Sequence, residues 1–283
     1  MKLNSLGKQI VNKFFRNKPY FSTKDVKLGK NVSFGKNVIF NCQSVRIGDG
    51  VVFQDNITIN VDFFEIGDFG TIYSGCFFPG PGKIKIGHNF WLGAMSIIDS
   101  QGGTMIGNNV GIGAHSQLWT HMKYGDVMAG CRFNSVKPLI IEDDAWLVGH
   151  VLVSPVHIGQ RSLIMLGSVV VNDVSRDRTF AGVPARDMTD KFGTQFQSNT
   201  IEQRIAYISK KIEDFADKYK VEDIWSKVLI LEKEERQNNL TEQVILNVSC
   251  RTYRKNGTKF ERQLIRYLLP DCKFIPKQDY SKK

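Results

Sequence analysis

No apolar run in this 283-residue chain approaches the eighteen or so residues that a membrane-spanning helix needs. Nor does the sequence open on a basic stretch, an apolar core and a small-residue cleavage site, so export by a signal peptide is not expected. Cysteine is sparse: Cys42, Cys76, Cys131, Cys250 and Cys272 are scattered, odd in number and without a CxxC pair. That argues against a disulfide framework or a zinc knuckle and fits a reduced, cytoplasmic setting, which includes the inner face of a membrane. Acidic residues are outnumbered, 28 against 38 Lys and Arg, for a net charge of +10. The excess is not gathered into an RNA- or DNA-binding motif, so no nucleic-acid partner is expected, and it suits smaller anionic partners. Apolar residues at 42% and charged residues at 23% are ordinary for a globular protein.

What the sequence has instead is a repeat. Aliphatic residues followed by glycine recur about every six positions from Val26 to Arg186: Leu28-Gly29, Phe34-Gly35, Ile47-Gly48, Ile66-Gly67, Ile86-Gly87, Leu92-Gly93, Ile106-Gly107, Ile112-Gly113 and Ile158-Gly159. A hexad is too short for a strand and a return connection, so each supplies one short strand and one corner, and three corners close a coil. Ile47, Ile66, Ile86 and Ile106 are separated by 19, 20 and 20 residues, close to three hexads each. Two further columns are expected between them, Phe53, Tyr73, Leu92, Ile112 and Ile59, Pro79, Ile98, Leu118. The aliphatic residue of each hexad points inward, while Gly, Asn or Asp takes the tight corner because it tolerates positive φ. The pattern predicts a triangular prism of parallel strands in which each coil buries its neighbour's apolar face.

With the closing segment Ala145 to Arg186, AWLVGHVLVSPVHIGQRSLIMLGSVVVNDVSRDRTFAGVPAR, the repeat resembles the hexapeptide-repeat acyltransferases, which include galactoside, maltose and xenobiotic acetyltransferases. The likeness spans residues 26 to 190. It implies a left-handed parallel β-helix, a handedness that periodicity alone does not supply, since parallel crossovers are usually right-handed.

Three regions are expected. Residues 1–25 form a lead-in in which Leu3, Leu6, Ile10 and Phe14 recur at helical spacing among basic residues. Such a helix either makes peripheral contact with an anionic membrane or covers the open first coil. Residues 26–190 form the β-helix. Within it, Ile106 to Ile141 spans 35 residues, about fifteen more than a coil, so residues 122–139 leave the prism as an excursion loop. The Phe77-Phe78-Pro79-Gly80-Pro81-Gly82 corner is expected to bulge. Residues 191–283 read as a small α+β appendage: a helix over Thr200–Lys220, then strands over Lys227–Glu232, Gln243–Tyr253 and Lys259–Leu269, the last two joined by a hairpin at Lys255-Asn256-Gly257.

By the register of the hexads His121 lies outside the core, just before an inward slot at Met122 and at the root of the excursion. The resemblance implies that it is the catalytic base of an acetyl-CoA-dependent transfer. Imidazole, with an ordinary pKa near 6.5, is suited to take the proton of an attacking hydroxyl. Tyr124 and Asp126 are candidates to orient His121 or the acceptor. The resemblance also implies that Trp146 and Gly149 line the pantetheine arm of coenzyme A, that Gly167-Ser168 is a small-residue corner against which the cofactor lies, and that Arg186 meets a phosphate. Where the family carries Thr-Lys-Asp this chain has Val171-Asn172-Asp173, so one phosphate-binding lysine is missing.

The expected function is O-acetylation of a sugar hydroxyl in surface polysaccharide or lipopolysaccharide biosynthesis, with a sugar, nucleotide-sugar or glycan as acceptor. The assembly implied is a homotrimer whose cofactor sites straddle subunits, and no metal is expected. The alternatives are an amino-sugar N-acetyltransferase, a γ-carbonic-anhydrase-like hydratase using His88, His115 and His121 as metal ligands, and a non-catalytic trimeric scaffold.

Overall fold

The computed structural model describes residues 17–233 and 243–277; the basic helix expected before residue 17 lies outside them. The described residues fall into two compact units that divide between Phe196 and Gln197.

The first unit is a three-sided parallel β-helix, with sheets of eight, seven and nine strands, most of them two to four residues long. Each face is lined by one inward column. On the first, Ile47, Ile66, Ile86, Ile106, Ile141 and Ile158 follow one another rung by rung. The second carries Phe34, Phe53, Ile72, Leu92, Ile112, Leu147 and Ile164. On the third stand Phe40, Ile59, Phe78, Ile98, Leu118, Val153 and Val170. All are 5% exposed or less. We refer to these as the Ile47, Phe53 and Ile59 faces.

Two expected inward residues are displaced by one position, since Ile72 and Phe78 fill the slots assigned to Tyr73 and Pro79. The spacing explains it: Phe53 to Ile72 and Ile59 to Phe78 are both 19 residues, so the coil's extra residue enters only after Phe78, in the Pro-Gly corner. A register slip of one would have turned each side chain to the opposite face, and the buried ring of Phe78 fixes the choice.

Corner residues explain the abundance of Asn and Asp. Asn89, Asn109 and Asp144 all have φ near +60° and stack as a ladder, Asn89 Nδ2 donating to Asn109 Oδ1 at 2.9 Å and Asn109 Nδ2 to Asp144 Oδ1 at 3.0 Å. These short polar side chains tolerate the left-handed region and satisfy one another across coils.

The excursion is a β-hairpin. His121–Lys123 pairs antiparallel with Asn134–Val136, His121 opposite Val136. Met122 is 54% exposed and fills no inward slot. The buried residue at this corner is Thr120, which terminates the coil and turns the chain outward.

In the second unit the helix Ile201–Tyr219 starts with a full capping box, Thr200 accepting from Gln203 N and Gln203 accepting from Thr200 N. A four-stranded sheet runs in the order Val228–Leu231, Val244–Asn247, Thr252–Arg254, Ile275–Lys277. Two expectations are corrected. Gln243–Tyr253 is not one strand but two, reversing between Asn247 and Thr252. Lys259–Leu269 is not a strand: Lys259–Leu268 is a helix whose N-cap, Thr258, accepts from Glu261 N at 3.1 Å. Its buried residues Glu261, Leu264, Ile265 and Leu268 follow the i, i+3, i+4, i+7 rule. Lys255-Asn256-Gly257 therefore leads into a helix and makes no hairpin. No helix among the described residues is long and apolar enough to cross a membrane.

Candidate active site

His121 stands on the edge between the Ile59 and Ile47 faces, where the hairpin departs. Its Nδ1 lies 2.8 Å from Oδ2 of Asp99, and the imidazole remains 27% exposed while the Asp99 side chain is 1% exposed. Asp99 follows inward Ile98 on the preceding coil, so the parallel ladder carries it beneath the corner that holds Trp119 and Thr120. The same Oδ2 accepts from the Thr120 hydroxyl and, at 2.9 Å, from the Thr120 backbone N–H. Burial disfavours ionisation of Asp99, but the donors from Thr120 and His121 outweigh it and hold the carboxyl below its ordinary range. An ionised carboxylate only accepts, so the Nδ1 proton belongs to His121, and the lone pair on Nε2 is left for a base. The Trp119 ring stands edge-on to the imidazole, with centroids 6.0 Å apart.

Sequence reading missed Asp99. Its signal was an acid directly after an inward aliphatic in Ile97-Ile98-Asp99-Ser100, one coil from His121, where the two neighbouring coils carry Pro79 and Trp119. Tyr124 and Asp126 lie elsewhere in this chain. Tyr124 is fully exposed on the hairpin, and Asp126 Oδ1 accepts from Met128 N at 2.8 Å, capping its own turn. Neither is a hydrogen-bond partner of His121 here.

The residues expected at coenzyme A occupy a different edge. Trp146 points outward from the Phe53 face, 45% exposed, with its indole against Gly111. Gly149 and Gly167 stack on successive coils at the corner between the Phe53 and Ile59 faces, Gly167 N donating to Gly149 O at 3.0 Å. Gly167 has φ +70° and a Cβ there would meet nothing within 4 Å, so only backbone conformation requires glycine and the space outside it is open. Ser168 is buried; its hydroxyl donates to Met165 O at 2.7 Å and accepts from Gly182 N, which stabilises the corner. Arg186 is exposed on the terminal strand Ala185–Asp187. His115 and His150 share the Gly149 corner and stack, centroids 5.0 Å apart and planes at 22°.

His88, His115 and His121 stand on three different edges of the prism, and His88 Nδ1 already accepts from Asp68 N at 2.9 Å. Among the described residues no three His, Cys, Asp or Glu side chains are grouped to hold a metal ion.

No family model matches the chain. YJL218W of Saccharomyces cerevisiae, named as an acetyltransferase, is 33% identical over 119 residues, 40% of this chain and 60% of that protein. Galactoside O-acetyltransferase of Escherichia coli is 32% identical over 114 residues, 39% of this chain and 55% of that one. The chain thus spans about three-fifths of the length of the curated relatives it matches. Among solved structures, the polysialic acid O-acetyltransferase OatWY is matched at a TM-score of 0.46 and 18% identity over 70% of this chain and 95% of that one. Over about two-fifths of its length the chain is thus similar in sequence to proteins named as acetyltransferases.

Proposed function

We propose that this protein is an acetyl-CoA-dependent O-acetyltransferase acting on a sugar hydroxyl in surface polysaccharide or lipopolysaccharide biosynthesis. The observation that carries the reading is the partly exposed imidazole of His121 with Nδ1 held by buried Asp99. In the proposed reaction Nε2 of His121 takes the proton of the acceptor hydroxyl as its oxygen attacks the thioester carbonyl carbon. The tetrahedral adduct collapses with cleavage of the C–S bond, the imidazolium returns the proton to the departing thiolate, and the products are the acetyl ester and free coenzyme A. A thioester is already activated, so no protein nucleophile is needed.

The donor would lie along Trp146 and the Gly149–Gly167 edge, where open space borders backbone, and Arg186 would meet a phosphate. His121 belongs to another edge of the same prism. A second copy is what would bring a His121 edge against a Gly149 edge, which favours a homotrimer with sites at its seams. The name of the galactoside relative favours a hydroxyl over an amine as acceptor.

The test is transfer of labelled acetyl from acetyl-CoA to a panel of hydroxyl- and amino-sugar acceptors. The expected result is esterification that falls by about 10²–10⁴-fold in His121→Ala. Equal transfer by His121→Ala would remove the base assignment. Transfer to amino-sugars alone would make the enzyme an N-acetyltransferase, and no transfer to any acceptor, with intact trimers, would favour a scaffold.

A further inference from the structure

We infer that Thr120 is a positioning residue whose hydroxyl, locked in one direction, keeps Asp99 an acceptor and so keeps the His121 proton on Nδ1. The inference rests on His121 being the base. Thr120 is fully buried at the point where the coil ends and the hairpin begins. Its Oγ1 has two partners. Gly102 N donates to it at 2.9 Å, and it in turn donates to Oδ2 of Asp99.

The first bond decides the second. A hydroxyl has one proton to give, and the Gly102 amide, itself a donor, occupies an Oγ1 lone pair, so the hydroxyl proton can only be directed at Asp99. A relay Gly102 N–H to Thr120 O–H to Asp99 Oδ2, met on the other side by His121 Nδ1–H, has a single consistent polarity. Cooperative chains of this kind strengthen each bond in a low-dielectric surrounding. The Thr120 N–H adds a donor that no side-chain substitution removes.

Asp99 is buried, and burial alone would drive it toward the neutral acid. A neutral Asp99 would carry its own O–H and donate it to Nδ1, forcing the imidazole proton onto Nε2 and abolishing the base. The titratable group that faces Asp99 is His121 itself, so no other charge replaces the hydroxyl if it is lost. Gly102 belongs to the corner between Ser100 and Thr104, and Ser100 Oγ ties that corner to the preceding one through Pro79 O and Gly80 O at 3.0 and 2.6 Å. The corner that holds the Gly102 donor is thus anchored, through Ser100, on the Pro79-Gly80 corner one coil below.

The experiment compares Thr120→Val, nearly isosteric but without the hydroxyl, with Thr120→Ser, which keeps it, in the full-length chain. Thr120→Val is expected to lower kcat about 10- to 100-fold, the equivalent of one hydrogen bond to a charged group, with KM for acetyl-CoA unchanged. The acidic limb of its kcat–pH profile should move to higher pH, because a carboxylate that has lost a donor favours the form of the Asp99–His121 pair that carries the extra proton. Thr120→Ser should restore both rate and profile. A wild-type rate and profile in Thr120→Val, in a background where His121→Ala is inactive, would overturn the inference while leaving the base assignment standing. If His121→Ala is as active as wild type, the base assignment itself has failed. A loss of rate in Thr120→Val with an unmoved pH profile, or one that serine does not rescue, would assign Thr120 to packing and also overturn the inference.

Discussion

Asp99 in the β-helix and Glu261 in the C-terminal unit are both carboxylates with almost no exposed surface, yet their acidities move in opposite directions. Oδ2 of Asp99 collects a hydroxyl, a backbone N–H and an imidazole N–H, and together these overcome the cost of burial. In Glu261 burial dominates and raises the pKa, even though Oε2 accepts from the Asn256 N–H and, at 2.9 Å, from the Gly257 N–H. Its Oε1 has no hydrogen-bond partner among the described residues. Burial therefore does not decide whether an acid serves chemistry. The number and direction of donors decide it, and of these two acids Asp99 is the one that faces a partly exposed imidazole.

The largest expected effect separates the two acids by activity. Asp99→Ala leaves His121 without its Nδ1 partner, and kcat should fall by about 10²–10⁴-fold with saturating acetyl-CoA, as the tautomer and ring orientation are lost. Glu261→Ala removes the buried acceptor of the Asn256 and Gly257 amides and should leave transfer unchanged while destabilising its own unit by about 1–3 kcal/mol. Equal losses of activity in the two variants would erase the contrast. A smaller effect follows from pH. The folded pKa of Asp99 lies below the unfolded value near 3.9, so its contribution to stability is complete above that value and lost as pH falls through the folded pKa. In urea unfolding of the β-helix, Asp99→Asn should show a shallower loss of stability below about pH 4 than wild type does.

The same two regions differ in how much the sequence reveals. In the β-helix one short rule, an inward aliphatic before a tight corner, is repeated on every coil, so Ile47, Ile66, Ile86 and Ile106 announce their column without further information. Errors arose at Ile72 and Phe78, where the spacing is still 19 residues and a one-residue misplacement reverses an alternating pattern, and at Met122, where the chain leaves the coil. His121 was conspicuous at the edge of the repeat. Asp99 was not, because its role comes from stacking of coils 22 residues apart in sequence rather than from any local motif. The C-terminal unit has no repeat to average over noise. Its last helix was hidden behind apparent alternation from Phe260 onward, although Thr258-Lys259-Phe260-Glu261 carries the S/T-x-x-E signature of a helix start. That signature and the burial of Glu261 are one fact, since the glutamate reaches back to cap the preceding amides.

The smallest expected effect sharpens the contrast from the side of Glu261. Its folded pKa is raised, so the stability it contributes is complete below the unfolded value near 4.3 and is lost as pH rises through the folded pKa, the reverse of Asp99. Glu261→Gln retains an oxygen to accept from Asn256 and Gly257 and cannot ionise, but it places an amide N–H₂ where Oε1 has no partner. Neutral glutamic acid has the same unmet hydroxyl, so at pH 4 the two forms should differ by no more than about 1 kcal/mol. Above that pH they should diverge, wild type weakening while Glu261→Gln stays level. Amide exchange of Val244–Asn247, a fully buried strand of that unit, reports this once intrinsic exchange rates are subtracted. Wild-type protection that rises with pH relative to the variant would mean that the Asn256 and Gly257 amides stabilise the ionised form after all, and that Glu261 resembles Asp99 in everything but its neighbour.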